Sequence, residues 1–359
     1  MTAWDLVVDR DDLSRTSILD RAVPDAGDGE AVLRVDRVGV TANNVTYALV
    51  GDDMRYWEFF PTESGWGRVP LWGFAEVVDS GVPDLEVGTR VYGYLPTSSH
   101  LVVRPERVTA AGFRDASAHR STLPRPYNVY ADTTGDPAYQ RRHEDLQVLY
   151  RPLFITSFML EDFLSDHGYF GAKVLVVSSA SSKTAYGFAF CAQRRRHRPR
   201  LVGLTSPANV GFTESLCCYD HVVPYDAVED IRPDLPTAYV DVAGSVPLRA
   251  TVHRHFAERL VHDTSVGATH LDPLPTGDTG LPGPAPYFFF APDQMRRRSA
   301  DWGPGGIEAR YGEAWRAFVP IVADWVDVTE STGRDGLRAA WLEVLNGRGD
   351  PRRGHVVQL

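Results

Sequence analysis

The stretch 173–187, KVLVVSSASSKTAYG, decides the fold. Residues 173–178 form a short apolar run, the pattern of a strand buried on both faces. The run passes through small residues, Ser178 to Ser182, into a helix predicted over 183–195. A strand that feeds a helix through small residues gathers free N–H groups and the positive end of the helix dipole at one point, which suits a phosphate. The serine hydroxyls add donors. Lys183 adds charge, and Lys173 and Lys183 are the only lysines among 37 basic residues. Of a GxGxxG fingerprint only Gly187 is present, so the loop alone also reads as a serine-rich helix cap.

Downstream, 200–204, 221–223, 238–242, 259–264 and 287–290 read as strands. Helices are expected over 209–218 and Val246–Phe256. Strands alternating with helices imply a parallel, doubly wound sheet with crossover helices. A Pro/Gly loop is expected over 271–286. A helix follows over 308–325, which Pro320 should kink or split. Residues 336–346 read as a helix and 354–359 as a strand. The second strand ends in LTSPAN, residues 204–209, where an NAD site usually places an acid for the ribose hydroxyls. The nearest acid, Glu214, falls well into the next helix. Thr205, Ser206 and Asn209 suit a 2′-phosphate instead, which favours NADP; Ser206 and Asn209 read equally as helix caps.

Upstream, Leu149, Leu153, Phe154, Phe158 and Phe163 share one face of a helix starting near Leu146 and ending near Gly168. Residues 113–145, with Pro124, Pro126 and Pro137, read as an irregular surface excursion. Before them, Ala31–Val40 alternates apolar and polar residues. Leu71–Ser80, 88–94 and His100–Val103 continue a series of short strands broken by Gly and Pro, as in a compact β barrel.

With 359 residues, 43% hydrophobic and 23% charged, the chain suits a globular protein of two domains. A net charge of −10 disfavours broad nucleic-acid binding. No apolar run approaches the roughly 20 residues of a membrane helix. The first residues carry charges where a signal peptide needs an apolar core. The expectation is a soluble, cytoplasmic protein. Cys191, Cys217 and Cys218 form no CxxC pair; the neighbouring Cys217 and Cys218 are expected to be small core residues. The eleven histidines show no metal-ligand spacing. His253 and His255, two apart on a helix, are expected at the surface or at caps.

Several segments carry a family likeness. They are GVTANNVTYALVG (39–51), VGTRV (87–91), FITSF (154–158), DHVVPY (220–225), DVAG (241–244) and LEVLNGRGDPRRGHVVQL (342–359). In order and spacing the chain resembles the medium-chain dehydrogenase/reductase superfamily, and within it the zinc-free quinone oxidoreductase and enoyl reductase branch. More narrowly, it resembles the uncharacterised DUF2855 proteins. The resemblance implies an α/β fold: a Rossmann-like doubly wound parallel sheet plus a GroES-like β-barrel domain. It implies a barrel over 1–145, including the excursion, a dinucleotide-binding domain over 146–300, and a segment 301–359 returning to the barrel. It further implies NADPH as cofactor, a small-molecule substrate and a homodimer formed through the Rossmann domains.

Carried over by position, Ser179, Ala180, Ser181, Ser182, Lys183 and Thr184 would meet the pyrophosphate. Thr205, Ser206 and Asn209 would meet the adenosine ribose, and Tyr225 would lie near the adenine. Gly244 would pass near the nicotinamide ribose and Thr156 near the nicotinamide. The chain departs from the family at two points. The glycine pair of the "AAGGVG" loop is Ser182-Lys183, and the basic residue after strand two is missing. A catalytic zinc in the superfamily needs early Cys or His ligands, and the first cysteine here is Cys191.

Metal-free hydride transfer needs a group that polarises the substrate oxygen and donates a proton. Tyr47 resembles the tyrosine of the "DTY" motif, with Thr46 one residue away. Asn43 and Asn44 are the other candidates, as donors to a carbonyl or a carboxamide. Structural readings stand beside these: the asparagines shape a turn and Tyr47 packs. Tyr56, Trp57, Phe59, Phe60 and Trp66 suit the wall of a planar substrate, an interface or a core. Arg296, Arg297 and Arg298 read as a solvated charge run that could also meet an anion. Three functions compete: an NADPH-dependent reductase of an enone, quinone or other carbonyl compound; a non-redox enzyme, such as a lyase or hydratase, on the same scaffold; and a catalytically inactive binding protein.

Overall fold

The computed structural model describes residues 2–266, 280–347 and 349–359. The chain divides into two compact units, 1–152 with 322–359, and 153–321.

In chain order, the first unit begins with β1 (Ala3–Asp9), β2 (Thr16–Arg21), β3 (Ala31–Val40) and helix α1 (Ala42–Leu49). It continues with β4 (Trp66–Gly67), β5 (Leu71–Ser80), β6 (Arg90–Leu95), β7 (His100–Val103), β8 (Pro105–Thr109), β9 (Gly112–Asp115) and β10 (Val129–Asp132). Helix α2 (Glu144–Asp166) leads into β11 (Val174–Val177), α3 (Lys183–Gln193), β12 (Arg200–Thr205), α4 (Val210–Ser215), β13 (His221–Pro224) and β14 (Thr237–Asp241). Then come α5 (Val246–Phe256), β15 (Leu260–Ser265), β16 (Tyr287–Phe288), α6 (Ala291–Trp302) and α7 (Gly306–Val322). The chain closes with β17 (Asp327–Thr332), α8 (Gly333–Leu345) and β18 (Arg353–Gln358).

The second unit is built on a parallel sheet in the order β13-β12-β11-β14-β15-β16. Numbered from β11, this is the doubly wound order 3-2-1-4-5-6, which opens a ligand crevice at the carboxyl ends of the strands beside β11. The all-apolar β11 is buried throughout, as its sequence requires of a central strand. Val176, Val202, Leu204, Tyr239, Val252 and Phe256 belong to the core on one face of this sheet.

The first unit is antiparallel apart from one pair. Its main sheet runs β17-β18-β3-β5-β6-β10-β9-β8, with β7 also on β3, and a second sheet runs β2-β1-β4. The C-terminal strand β18 pairs antiparallel with β3 and parallel with β17. Leu33, Val35 and, past an irregularity in the pairing with β5, Val38 of β3 fill the core with Val77, Val91 and Tyr130.

Several expectations are corrected. The segment 113–145 is not an irregular surface excursion: it supplies β10 and most of β9 to the main sheet. Some of its polar residues, Asp115 and Asn128 among them, turn inward around Arg120, which is buried. Arg120 donates to Asp115 (2.7 Å), to the Tyr130 hydroxyl (2.9 Å) and to the Tyr127 carbonyl (3.0 Å). Pro320 does not split α7, but the helix ends at Val322, two residues beyond it and three short of the expected end. Arg296 and Arg297 are exposed, as expected of a solvated run, but Arg298 is not. It lies on α6, a helix the pattern did not reveal. Arg298 is buried there against Asp162, Asp166 and Asp301, while Arg297 pairs with Asp166. His253 is fully buried rather than at the surface, between Asp263 (Nε2 to Oδ2, 2.8 Å) and the Pro282 carbonyl (Nδ1, 2.8 Å). Cys218 and Cys191 are buried, but Cys217 is exposed. Of the expected loop 271–286, residues 271–279 lie outside the described residues. Among the described residues no helix is long and apolar enough to cross a membrane.

Candidate functional site

Two constellations of candidate residues form, one in each unit. In the second unit, the loop between β11 and α3 lies at the carboxyl edge of the sheet. Ser179 holds a left-handed φ of 52°, a conformation that costs a non-glycine residue energy and that recurs at ligand sites. The Tyr225 hydroxyl hydrogen-bonds to Ser179. Ala180 is anchored on both sides: its N–H donates to the Leu204 carbonyl (2.9 Å), and its carbonyl accepts from Tyr219 Oη (3.0 Å). Ser182 caps α3, accepting from the Ala185 N–H at 3.3 Å, so Lys183 and Thr184 form the first turn. Ser181 Oγ lies 3.2 Å from Thr205 Oγ1 and 3.3 Å from Asn209 Nδ2. Six of the candidates, Ser179, Ser181, Ser182, Thr205, Asn209 and Tyr225, are therefore linked in bonded pairs around one loop, with the Ser182 N–H on the Ser179 carbonyl at 2.7 Å. Ser206 stands at the end of β12, half-buried, where its carbonyl accepts from the Asn209 N–H at 2.9 Å. Thr205 is fully buried with its hydroxyl on Ser181, so it shapes the loop from beneath.

Sequence reasoning missed what holds this edge in place. Asp241, at the end of β14, is buried. Its Oδ1 accepts from Ser178 Oγ (2.7 Å), Tyr239 Oη (3.2 Å) and the Gly244 N–H (3.0 Å). Its Oδ2 accepts from Arg249 Nη2 at 2.7 Å. Ser178 Oγ in turn accepts from the N–H groups of Val242 (2.9 Å) and Ala243 (3.0 Å). One carboxylate thus ties the exit of β11 to the turn carrying Gly244, whose φ of 68° suits glycine. Ser157 on α2 is the other missed residue. Its hydroxyl lies 2.8 Å from the Thr184 carbonyl, and α3 approaches so closely that a Cβ on Gly187 would fall 2.9 Å from that hydroxyl. Thr156, beside it on α2, is half-buried.

The first unit gathers phenols. Tyr47, on α1, receives a hydrogen bond from Trp72 Nε1 (3.1 Å) and hydrogen-bonds to Asn43 and Tyr127. Tyr56 and Tyr127 bring their hydroxyls to 3.3 Å. Ring centroids lie 4.6 Å apart for Tyr47–Tyr56, 5.5 Å for Tyr47–Tyr94 and 4.8 Å for Tyr94–Tyr127. Tyr94 Oη is buried with no hydrogen-bond partner among the described residues. Burial pushes all four phenols above the ordinary tyrosine range, so each stays a neutral donor. Asn44 is taken up locally. Its Oδ1 accepts from the Thr41 N–H (2.7 Å), and its Nδ2 donates to the Pro70 carbonyl (2.8 Å), which closes the start of α1. Tyr127 comes from the 113–145 segment; reading that segment as irregular hid it.

Known proteins agree with this architecture. No curated protein matches the sequence significantly. Among solved structures, a protein assigned as an NADPH:quinone reductase from Mesorhizobium loti aligns at a TM-score of 0.66 with 12% identity, covering 100% of this chain and 98% of its own. CurA from Vibrio vulnificus, solved in complex with NADPH, aligns at 0.61 with 14% identity over 99% and 98%. A thermostable alcohol dehydrogenase from Pyrobaculum aerophilum aligns at 0.55 with 14% identity over 100% of both chains. The fold is shared with these structures: a Rossmann-like parallel sheet with a GroES-like antiparallel unit. Residues 38–350 match the family model described as a protein of unknown function, DUF2855, and the chain belongs to that family.

Proposed function

We propose that the chain is an NADPH-dependent reductase of an enone, quinone or other carbonyl compound, working without a metal. The observation that carries this reading is the loop 178–183. Its serines, its left-handed Ser179 and the first turn of α3 surround one point at the carboxyl edge of a 3-2-1-4-5-6 sheet. That donor set fits a pyrophosphate, with Lys183 supplying the positive charge. Ser206 and Asn209 would receive the adenosine ribose and its 2′-phosphate, Tyr225 the adenine, and Gly244 and Thr156 the nicotinamide end.

Bound there, NADPH supplies a hydride for the substrate carbon. The remaining tasks fall to the chain. Tyr47 donates its hydroxyl proton to the substrate oxygen, which gains negative charge as the carbon is reduced. The Trp72 indole N–H then stabilises the tyrosyl oxygen at 3.1 Å, and a proton from solvent, passed along the Tyr56 and Tyr127 hydroxyls, restores the phenol. Asn43 orients Tyr47, and Asn44 fixes the helix that carries both.

A homodimer formed through the parallel-sheet unit and residence in the cytoplasm complete the reading. Calorimetric titration with NADPH and with NADH tests it first, followed by turnover on quinones and enones. Saturable NADPH binding with turnover is expected. Absence of NADPH binding removes the reductase. Binding without turnover leaves a binding protein on this scaffold, and turnover with no coenzyme leaves a non-redox enzyme.

A further inference from the structure

Asp241, Arg249 and Asp263 are buried together between α5 and the strands β14 and β15, with the equally buried His253 beside them. Arg249 stands between the two carboxylates. Its Nη2 donates to Asp241 Oδ2 at 2.7 Å, and its Nε lies 3.3 Å from Asp263 Oδ2 without forming a hydrogen bond. The two carboxylates are unequally supplied with donors. Asp241 also accepts from the Ser178 hydroxyl, the Tyr239 hydroxyl and the Gly244 N–H. Among the described residues, Asp263 has one side-chain hydrogen bond, with His253 Nε2 at 2.8 Å, and its Oδ1 has no partner.

A buried carboxylate with few donors pulls on any cation within reach. His253 keeps Asp263 from pulling on Arg249. Its Nδ1 lies 2.8 Å from the Pro282 carbonyl, which only accepts, so Nδ1 carries a hydrogen. A second proton lies between Nε2 and Asp263 Oδ2. The His253–Asp263 pair is then neutral as a unit, and Arg249 is left to Asp241. Without the Nε2 donor, a single guanidinium faces two carboxylates. Arg249 Nε then closes the 3.3 Å gap to Asp263, and the hold on Asp241 loosens. Asp241 is the acceptor that ties Ser178, at the exit of β11, to the turn carrying Gly244. A continuous polar chain therefore runs from His253 inside α5 to the loop at the carboxyl edge of the sheet.

We propose that His253 is a positioning residue for the coenzyme site: by holding Asp263 it reserves Arg249 for Asp241, and so fixes the turns at Ser178 and Gly244. The proposal rests on the reading of that edge as the NADPH site, but its first test needs no coenzyme. Glutamine places an amide donor where His253 Nε2 stands, and asparagine places one where Nδ1 stands. His253→Gln therefore keeps the bond to Asp263 and gives up Pro282, and His253→Asn does the reverse. Amide hydrogen exchange of Val242, Ala243 and Gly244, whose N–H groups end on Ser178 Oγ and Asp241, is measured in the full chain relative to the amides of β12. Exchange faster than wild type by about tenfold or more is expected in His253→Asn, and wild-type exchange in His253→Gln. Adding Asp263→Asn to His253→Asn removes the competing carboxylate and should bring exchange back to within about twofold of wild type. Equal exchange in the two single variants, or no recovery in the double variant, would overturn the proposal. If His253→Asn does not fold, the double variant decides: a folded chain with wild-type exchange supports the relay, and continued loss overturns it. The NADPH Kd should follow the same order, about tenfold weaker in His253→Asn and unchanged in His253→Gln. A wild type that binds no NADPH removes the coenzyme reading, while the exchange rates still decide whether His253 fixes the loop.

Discussion

In the parallel-sheet unit, the exit of β11 is held by a buried ion pair: Asp241, paired with Arg249, accepts from the Ser178 hydroxyl. In the antiparallel unit, the hydroxyls of Tyr47, Tyr56 and Tyr127 are held by packed rings, with an indole N–H as their nearest fixed donor. The difference follows from what each region must fix. A loop between strand and helix is backbone, and a carboxylate that accepts several N–H and O–H donors can clamp two turns at once. A phenol is a side chain whose ring is its own support, and burial keeps it protonated. The first arrangement spends desolvation on charge and gains rigid backbone. The second avoids charge and keeps protons available.

The comparison breaks most visibly if the ion pair proves dispensable. Arg249→Met leaves Asp241 buried without its cation and should cost about 3–5 kcal/mol in urea unfolding; a loss below about 1 kcal/mol would mean that the hydroxyl and N–H donors hold Asp241 alone. Next in size, Tyr47→Phe should lower turnover about 100-fold while NADPH affinity stays within error. A fall in affinity with turnover per bound coenzyme unchanged would make Tyr47 a packing residue. Lys183→Ala should raise the NADPH Kd about tenfold, through loss of a charge-assisted contact; equal Kd values would remove Lys183 from the phosphate site. The smallest effect sharpens the account of the loop. Ser179→Val should cost about 1–2 kcal/mol, because a β-branched residue tolerates φ of 52° poorly, whereas Ser179→Gly should be close to neutral. Equal cost for both would mean that the Ser179 hydroxyl, not the backbone, matters there.

The parallel-sheet unit was legible because its order rests on local signals. Each buried strand announces itself as an apolar run, and β11, β12, β13, β14 and β15 fall within about two residues of their expected positions. The loop and the carboxyl ends of the strands follow from that order alone. The antiparallel unit was legible in its strands Ala31–Val40, Leu71–Ser80, 88–94 and His100–Val103, but not in the segment that follows them. Residues 113–145 look polar because their charge is compensated at a distance in sequence: Arg120 needs Tyr130 and Asp115, and Tyr127 needs Tyr56 and Tyr47. The helix Ala291–Trp302 was hidden for the same reason, since Arg298 reads as solvated until Asp162 is folded against it.

By itself, the sequence determined the fold class, the alternation of strands and helices in the parallel-sheet unit and the loop at its edge, because hydrophobic periodicity and small-residue turns act within a few residues. Only the tertiary structure decided which polar groups are buried and with whom. Asp241 with Arg249, His253 with Asp263, and Tyr47 with Trp72 and Tyr127 all pair residues that no local pattern connects. A buried charge or hydroxyl is tolerated only where a partner meets it, and the partner's place is set by the closure of the whole sheet.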